Sequence, residues 1–225
     1  MLDPLQSLVG KFDIQTVLLF RIPKSASSSL FLATGNRNLF RREQKLLDKH
    51  LLSTPMYRGL FSSSHLTPSE SFRIFGRGIL NYFSFCCVRN SFERVLSMHS
   101  FSNGKDFGNY YGLKNEGTFE EFVNILYEKF QNGEQNFIGI RPQTAWTHDV
   151  AFKPRVVLRF SHLNQDWQKM LKDYDLKGFP HTLPHENSSS HNDWKSYYTE
   201  DLRKKVAKIF EQELDLLGFS DKIPR

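Results

Sequence analysis

The sequence predicts a single α/β domain over residues 1–225, in which helices flank a central parallel β-sheet. Two observations support this prediction. Short apolar runs alternate with amphipathic helical segments along the chain, and such alternation is typical of parallel strands joined by right-handed crossovers. The length of 225 residues suits one domain with a sizeable core.

The individual elements follow from hydrophobic periodicity and from capping residues. The predicted strands are 16–20 (TVLLF), 81–88 (NYFSFCCV) and 155–160 (RVVLRF), with a further short strand at 58–64. Seven helices are predicted. The first is capped by a serine and ends at Gly35, and a basic helix follows at 41–52. The others are a helix capped by Thr67 and Glu70, the segment 90–101 (NSFERVLSMHSF), a helix capped by Thr118 and Glu121, the segment 164–171 (NQDWQKML), and one long helix from Thr199 to Gly218.

Composition narrows the classes of partner. The formal net charge of +6 favours anionic partners such as phosphate-bearing cofactors, nucleic acid or acidic polysaccharide. The same net charge is also found in proteins whose basic surface only keeps them soluble. Cys86 and Cys87 are adjacent, which disfavours a disulfide, and they are too few for a zinc site. No signal peptide or membrane-spanning run is visible, so we expect a cytoplasmic protein without a membrane span.

The loop after the first predicted strand, FRIPKSASSSLF, has the chemistry of an anion site. A helix N-terminus directs backbone N–H groups and the positive end of its dipole at a ligand. Pro23 stiffens the turn, Lys24 supplies a mobile charge, and four hydroxyls add donors, those of Ser25, Ser27, Ser28 and Ser29. The alternative is a capped helix with a solvated serine cluster.

Two absences in the sequence bear on the group that this loop would bind. The nucleotide-triphosphatase motif G-x-x-x-x-G-K-[ST] does not occur, and no obvious acidic magnesium ligand follows a strand. We therefore expect a donor whose transferred group needs no metal. Sulfuryl, which carries less charge than phosphoryl, fits that expectation.

The junction after the second strand, VRNSFERVLS, repeats this logic. Arg89 leaves the strand end, and Ser97 follows about two helical turns later. Both could reach one phosphate, Arg89 as a bidentate fork and Ser97 as a hydroxyl. Arg94 lies elsewhere on the helix, where we expect a structural ion pair with Glu93 or another carboxylate.

Three motifs resemble those of the carbohydrate sulfotransferases. IPKSASSSL resembles the 5′-phosphosulfate loop of that family, P-K-[TS]-x-S-[ST]-[ST], and FCCVRNSFERVLSMHSF resembles its 3′-phosphate motif. LPHENSSSHNDWKSYYTEDL and ELDLLGF resemble its C-terminal signature. The resemblance extends from about residue 16 to residue 219. In this chain Ser91 stands where the family usually has proline. Ser161 and His162, in the segment LRFSHL, lie where related chains often have an acidic residue.

The resemblance implies a P-loop-like fold and the donor 3′-phosphoadenosine-5′-phosphosulfate (PAPS), with adenosine 3′,5′-bisphosphate (PAP) as product and no metal. By position, the loop would hold the 5′-phosphosulfate through Pro23, Lys24, Ser25, Ala26, Ser27, Ser28 and Ser29. Arg89 and Ser97 would hold the 3′-phosphate. A C-terminal loop would close over the nucleotide through Asn187, Ser189 and Lys195.

Transfer of a sulfuryl group to a hydroxyl requires a base, and histidine is the usual one near neutral pH. We predict that His65 is this base and that Lys24 stabilises charge on the leaving phosphate oxygen. His65 could instead be a surface histidine that caps a helix. The segment IRPQTAWTHDVAFKPR offers groups suited to a sugar and its anionic substituents, namely Arg141, Gln143, Trp146 and His148, although an ordinary irregular loop fits equally well.

The sequence thus predicts an in-line sulfotransferase that acts on an acceptor hydroxyl of a carbohydrate, either a glycan or a glycolipid. Two other functions remain open. A kinase-like nucleotide phosphotransferase shares the anion loop but needs a magnesium carboxylate. A non-enzymatic polyanion-binding module fits the net charge and the run RNLFRREQKLLDKH, which we interpret as a solvated helix face rather than a nucleic-acid site.

Overall fold

The fold combines a parallel β-sheet with flanking helices. The computed structural model describes residues 16–43, 65–102, 117–134, 139–184 and 193–219. In that part of the chain the sheet has three strands in the order β1-β2-β3, namely β1 Val17–Phe20, β2 Phe83–Val88 and β3 Val156–Arg159. Both strand pairs are parallel. The predicted α/β class, with a parallel sheet flanked by helices, is confirmed.

Helices account for most of the remaining described chain. They are α1 Ser27–Thr34, α2 Leu39–Arg42, α3 Pro68–Phe75, α4 Ser91–Ser102, α5 Phe119–Gln131, α6 Thr144–Thr147, α7 Leu163–Asp173, α8 Glu200–Ile209 and α9 Glu211–Leu217. Short 3-10 segments cover Gly35–Arg37, Gly76–Asn81, Phe160–His162 and Trp194–Tyr197. No helix among the described residues is long and apolar enough to cross a membrane.

The chain divides into two compact units. The first comprises the described residues of Met1–Val88 and Trp146–Glu186, and the second those of Arg89–Ala145 and Asn187–Arg225. Each unit therefore consists of two separate stretches of sequence. The prediction of one domain over residues 1–225 stays a prediction.

The core of the first unit surrounds the sheet. β1 is apolar on both faces and wholly buried, as expected for a strand covered by helices on each side. Trp167 on α7 packs its ring 6.0 Å from that of Phe85 on β2. Its indole N–H donates to the Pro180 carbonyl at 2.8 Å, which satisfies the buried donor. Residues on α7 and β2 thus form one continuous core.

The core of the second unit joins α4, α5 and α8, whose apolar stripes face one another. Its buried members include Phe92 and Val95 on α4, Val123 on α5 and Val206 on α8. The Tyr198 hydroxyl donates to the Phe92 carbonyl at 2.8 Å. This core positions α4, the helix that carries Ser97.

Several local predictions are confirmed. Thr67 with Glu70, and Thr118 with Glu121, each form a complete capping box, and Thr199 caps α8. Other predictions lie outside the described residues, namely the strand at 58–64 and the basic helix at 41–52 beyond residue 43. Cys86 and Cys87 are free and buried, and burial raises the pKa of the Cys86 thiol.

Two local predictions were wrong. The N-cap of α1 is Ala26 rather than a serine, in a left-handed conformation with no side-chain capping bond. The long helix from Thr199 to Gly218 is interrupted at Phe210, where φ is −111 and ψ is 22. The apolar periodicity continues across Phe210, so the sequence contains no signal for this break.

Candidate functional site

The loop between β1 and α1 contains two residues in a left-handed backbone conformation. Lys24 and Ala26 both have positive φ, 64 and 55 respectively, on either side of Ser25. The Ser25 N–H donates to the Ile22 carbonyl at 3.4 Å, which closes the turn. Left-handed residues interspersed in a turn direct successive N–H groups towards one point, and this arrangement recurs in phosphate sites.

Positive φ at these two positions is unusual because neither residue is glycine. A side chain in the left-handed region costs roughly 1–2 kcal/mol, and such strain concentrates where a ligand is held. Phosphate loops commonly use glycine at these positions. The sequence therefore gave no signal of this conformation at Lys24 or Ala26.

The side chains of the loop differ in exposure. Pro23, Ser25, Ser27 and Ser29 are buried, whereas Lys24 and Ser28 are partly exposed. The N-cap residue Ala26 has no side-chain acceptor for the N–H groups of the first turn of α1. The backbone and the partly exposed side chains of Lys24 and Ser28 are thus the groups that the loop can offer to an anion.

His65 is bonded to this same loop. Its Nδ1 lies 2.7 Å from the Arg21 carbonyl oxygen, two residues before Pro23. A carbonyl oxygen can only accept, so Nδ1 carries the proton and the neutral ring has its lone pair on Nε2. The structure thus joins His65 to the loop and assigns the tautomer that leaves Nε2 able to accept a proton.

Arg89, the residue that follows β2, is held at its main chain by a side chain. The Gln143 Oε1 accepts from the Arg89 N–H at 2.9 Å, and the Gln143 Nε2 donates to the Arg89 carbonyl at 2.7 Å. The Arg89 guanidinium donates through Nε to Glu93 at 3.1 Å. Both the backbone and the guanidinium of Arg89 are therefore restrained.

A buried ion pair supports this arrangement. Arg94 and Glu213 are both fully buried, with Nη1 and Oε2 at 3.2 Å. Arg94 also donates to the Arg141 carbonyl at 2.7 Å, and its guanidinium stacks over the Phe210 ring at 5.0 Å. The expected structural ion pair of Arg94 is confirmed, with Glu213 rather than Glu93 as its partner.

Glu213 also accepts hydrogen bonds from neutral groups. These donors are the Ser91 hydroxyl, the Gln143 N–H and the Gln143 Nε2, the last at 2.7 Å. Ser91, which stands where the resembling family usually has proline, thus contributes a hydroxyl to the buried carboxylate. Asn90 supplies the local cap, since its Oδ1 accepts from the Phe92 N–H at 2.9 Å.

Ser97 lies in the second turn of α4 and belongs to the same compact unit as Arg89. Its side chain is 7% exposed. His99, two residues further along α4, packs against Phe119 and Phe122 with ring centroids 5.5 Å apart. His99 is therefore a partly buried histidine that packs against two aromatic rings.

Two of the four predicted acceptor contacts are fully buried. Gln143 and Trp146 are both 0% exposed, and the Trp146 indole N–H donates to the Leu66 carbonyl at 3.1 Å. Neither side chain has a free face, so we assign neither to the acceptor. Arg141 is 9% exposed, while His148 is exposed, with Nδ1 2.8 Å from the Thr147 hydroxyl.

The predicted closing loop is described only in part. Asn187 and Ser189 lie outside the described residues. Lys195 is half-buried in the 3-10 segment Trp194–Tyr197, with its Nζ 6.0 Å from the Trp194 ring centroid. Among the described residues, no group of three or more His, Cys, Asp or Glu side chains is placed to hold a metal ion.

These features define an α/β protein whose first strand-to-helix junction contains two left-handed residues and is hydrogen bonded to a histidine. The sequence model of the sulfotransferase family matches residues 12–220, so the chain belongs to the sulfotransferase family. It is a sulfotransferase, an enzyme that moves a sulfuryl group from a sulfonate donor to a hydroxyl-bearing acceptor. No curated protein matches the chain.

Proposed function

We propose that the sulfonate donor is PAPS and that the loop between β1 and α1 holds its 5′-phosphosulfate. The observation that carries this proposal is the pair of left-handed residues, Lys24 and Ala26. Left-handed residues in a turn can direct backbone N–H groups at an anion, and the Lys24 ammonium adds a positive charge at the same turn. The donor set contains cations, hydroxyls and amides, which fit a phosphosulfate.

The 3′-phosphate is assigned to Arg89 and Ser97. A guanidinium can bind a phosphate through two parallel hydrogen bonds, and this geometry depends on where the arginine backbone is held. The contacts of Gln143 with the Arg89 main chain support such a role. A 3′-phosphate contact is what would distinguish PAPS from nucleotides without that group.

His65 acts as the base in this proposal. When bound, the donor supplies an electrophilic sulfuryl group with a phosphate leaving group. Nε2 of His65 accepts the proton of the acceptor hydroxyl, while Nδ1 keeps its proton on the Arg21 carbonyl. That carbonyl also stabilises the imidazolium that forms. The Lys24 ammonium neutralises charge that develops on the leaving phosphate oxygen.

The acceptor is proposed to be a carbohydrate, either a glycan or a glycolipid. The net charge of +6 suits an acceptor that already carries anionic groups. Of the four residues predicted from the sequence, His148 is the exposed one, and Arg141 is also retained in the proposal. The fully buried Gln143 and Trp146 are not part of this proposal.

Calorimetric titration with PAP tests the donor assignment. Lys24→Ala and Arg89→Ala should each weaken PAP binding at least about tenfold, because each removes a charged hydrogen-bond donor to a phosphate. Lys172→Ala, which removes an exposed lysine from α7, is the matched control and should bind as the unmodified protein does. Unchanged affinity in both site variants, or preferential binding of ATP with magnesium, would contradict the assignment.

Turnover with PAPS across a panel of glycans tests the base. His65→Ala should lose most turnover, by about 10²–10⁴-fold for a general base, while its PAP affinity stays within about twofold. His181→Ala, which removes an exposed histidine, is the control. Normal turnover of the His65 variant would reject His65 as the base, and mass spectrometry of the products locates the sulfated hydroxyl.

A further inference from the structure

The side chain of Gln143 substitutes for a neighbouring strand at Arg89. Its amide accepts from the Arg89 N–H at 2.9 Å and donates to the Arg89 carbonyl at 2.7 Å, as the main chain of a paired strand would. Two opposed hydrogen bonds fix both the position and the orientation of one residue. Arg89 lies directly after the last residue of β2, Val88, so Gln143 holds the backbone where the strand ends.

Gln143 is held in turn by Glu213. Both the N–H and the Nε2 of Gln143 donate to the Glu213 carboxylate, with Nε2 at 2.7 Å. Because Nε2 already donates to Glu213 and to Arg89, the amide cannot flip without losing both hydrogen bonds. The buried charge of Glu213 is compensated by Arg94 at 3.2 Å. A buried carboxylate that accepts this many hydrogen bonds is fixed in place.

We propose that Gln143 and Glu213 are positioning residues that fix Arg89 so that its guanidinium selects a nucleotide bearing a 3′-phosphate. This inference rests on the proposed role of Arg89 in the donor site. Bidentate recognition of a phosphate tolerates only a small displacement of the guanidinium, and a shift of about 1 Å is enough to weaken it strongly. Gln143 restrains the main chain of Arg89, and Glu93 restrains its Nε at 3.1 Å.

The proposal gives a role to the buried amide of Gln143, which folding alone does not require. Gln143 is 0% exposed, and burying a polar group is unfavourable unless its donors and acceptors are satisfied. An apolar side chain of similar volume would fill the same space. The contacts of Gln143 with Arg89 explain why an amide is present at this position.

The test compares the affinities of two nucleotides that differ only in the 3′-phosphate. PAP and adenosine 5′-monophosphate are titrated by calorimetry into the full-length protein and into Gln143→Met, which keeps the side-chain length but removes the amide. We expect PAP to bind Gln143→Met about tenfold more weakly, and adenosine 5′-monophosphate to bind within about twofold of the unmodified protein. The PAP preference should therefore fall about tenfold.

Two further variants separate positioning from general destabilisation. Thr118→Ala removes a different hydrogen bond from the same unit, that which caps α5, and should leave the PAP preference unchanged. Glu213→Asp keeps a carboxylate in the same buried site as Arg94 but shortens the side chain, which weakens its hydrogen bonds with Gln143, and should lower the PAP preference by several-fold. Because it retains a buried carboxylate, Glu213→Asp decides the question if Gln143→Met does not fold.

The outcomes are distinguishable. If the unmodified protein binds both nucleotides equally, the role of Arg89 in the proposed function is wrong and the positioning inference is overturned with it. If the unmodified protein prefers PAP and the folded variants of Gln143 and Glu213 keep that preference, the positioning inference alone is overturned. An equal loss of affinity for both nucleotides in these variants would also overturn it.

Discussion

The left-handed conformation of Ala26 should be measurable as stored strain. Ala26 has φ 55 and ψ 18, and an alanine in that region costs roughly 1–2 kcal/mol. Glycine adopts the same conformation without this cost but loses more entropy on folding. Replacing Ala26 by glycine therefore has opposing effects on stability. The relief of backbone strain stabilises the folded protein, whereas the larger loss of backbone entropy on folding and the lost methyl contact destabilise it.

Ala33 on α1 allows these losses to be subtracted. Both Ala26 and Ala33 are partly buried against the core of the first unit, so both glycine variants lose a similar methyl contact and a similar entropy. Ala33 lies in a regular helix, where the exchange costs about 1 kcal/mol. The difference between the two variants thus isolates the strain, and we expect Ala26→Gly to be more stable than Ala33→Gly by about 1–2 kcal/mol.

Urea unfolding of the two variants and of the unmodified protein measures this difference. The comparison is valid where the three transitions have equal slopes, because a changed slope would report a changed unfolded state. In thermal unfolding the same difference corresponds to a shift of about 2–8 °C. Equal destabilisation by the two exchanges would refute the reasoning, since it would mean that Ala26 stores no strain.

Three further predictions concern stability. Glu213→Ala should lower the free energy of unfolding by about 3–5 kcal/mol, because it leaves the Arg94 charge buried without its carboxylate. The double variant Arg94→Met with Glu213→Leu should recover most of that loss, as measured by urea unfolding. A double variant as unstable as Glu213→Ala would contradict this prediction. The hydrogen bond from Arg159 lowers the pKa of Asp166, so the Asp166 carboxylate stabilises the fold above its unfolded pKa of about 3.8, and this stabilisation is lost as the pH falls through the lower folded pKa. Asp166→Asn should therefore lower the melting temperature at pH 7, and the difference in melting temperature from the unmodified protein should narrow below pH 4. A difference that stays constant with pH would count against this prediction. Thr118→Ala should cost about 1 kcal/mol in the same assay because it removes the cap of α5, and an unchanged transition would exclude a contribution from the capping box.

Much of the fold could be predicted because its determinants are local. The strand TVLLF is apolar on both faces, and β1 is buried on both faces. The Thr67 capping box lies within four residues, and its hydrogen bonds form in the structure. Where the cause of a structural element lies within one or two turns of chain, the sequence alone is informative.

The arrangement around Arg89 could not be predicted because its contacts are distant in sequence. Ser91 and Glu213 are 122 positions apart, and Gln143 and Glu213 are 70 apart. The amide of Gln143 resembled a sugar contact in the sequence, whereas in the structure it is hydrogen bonded to a main chain. The positive φ of Lys24 and Ala26 was equally hidden, because neither residue type favours that conformation.

The pairing of Arg94 with Glu213 also has a consequence for biosynthesis. Arg94 is translated 119 residues before Glu213, and both lie in the unit that combines Arg89–Ala145 with Asn187–Arg225. During synthesis, the Arg94 guanidinium therefore cannot form this ion pair until the later helices have emerged from the ribosome. The folding of this unit therefore cannot be completed before Glu213 has been synthesised, and a nascent chain stalled before Glu213 would be a natural substrate for chaperones.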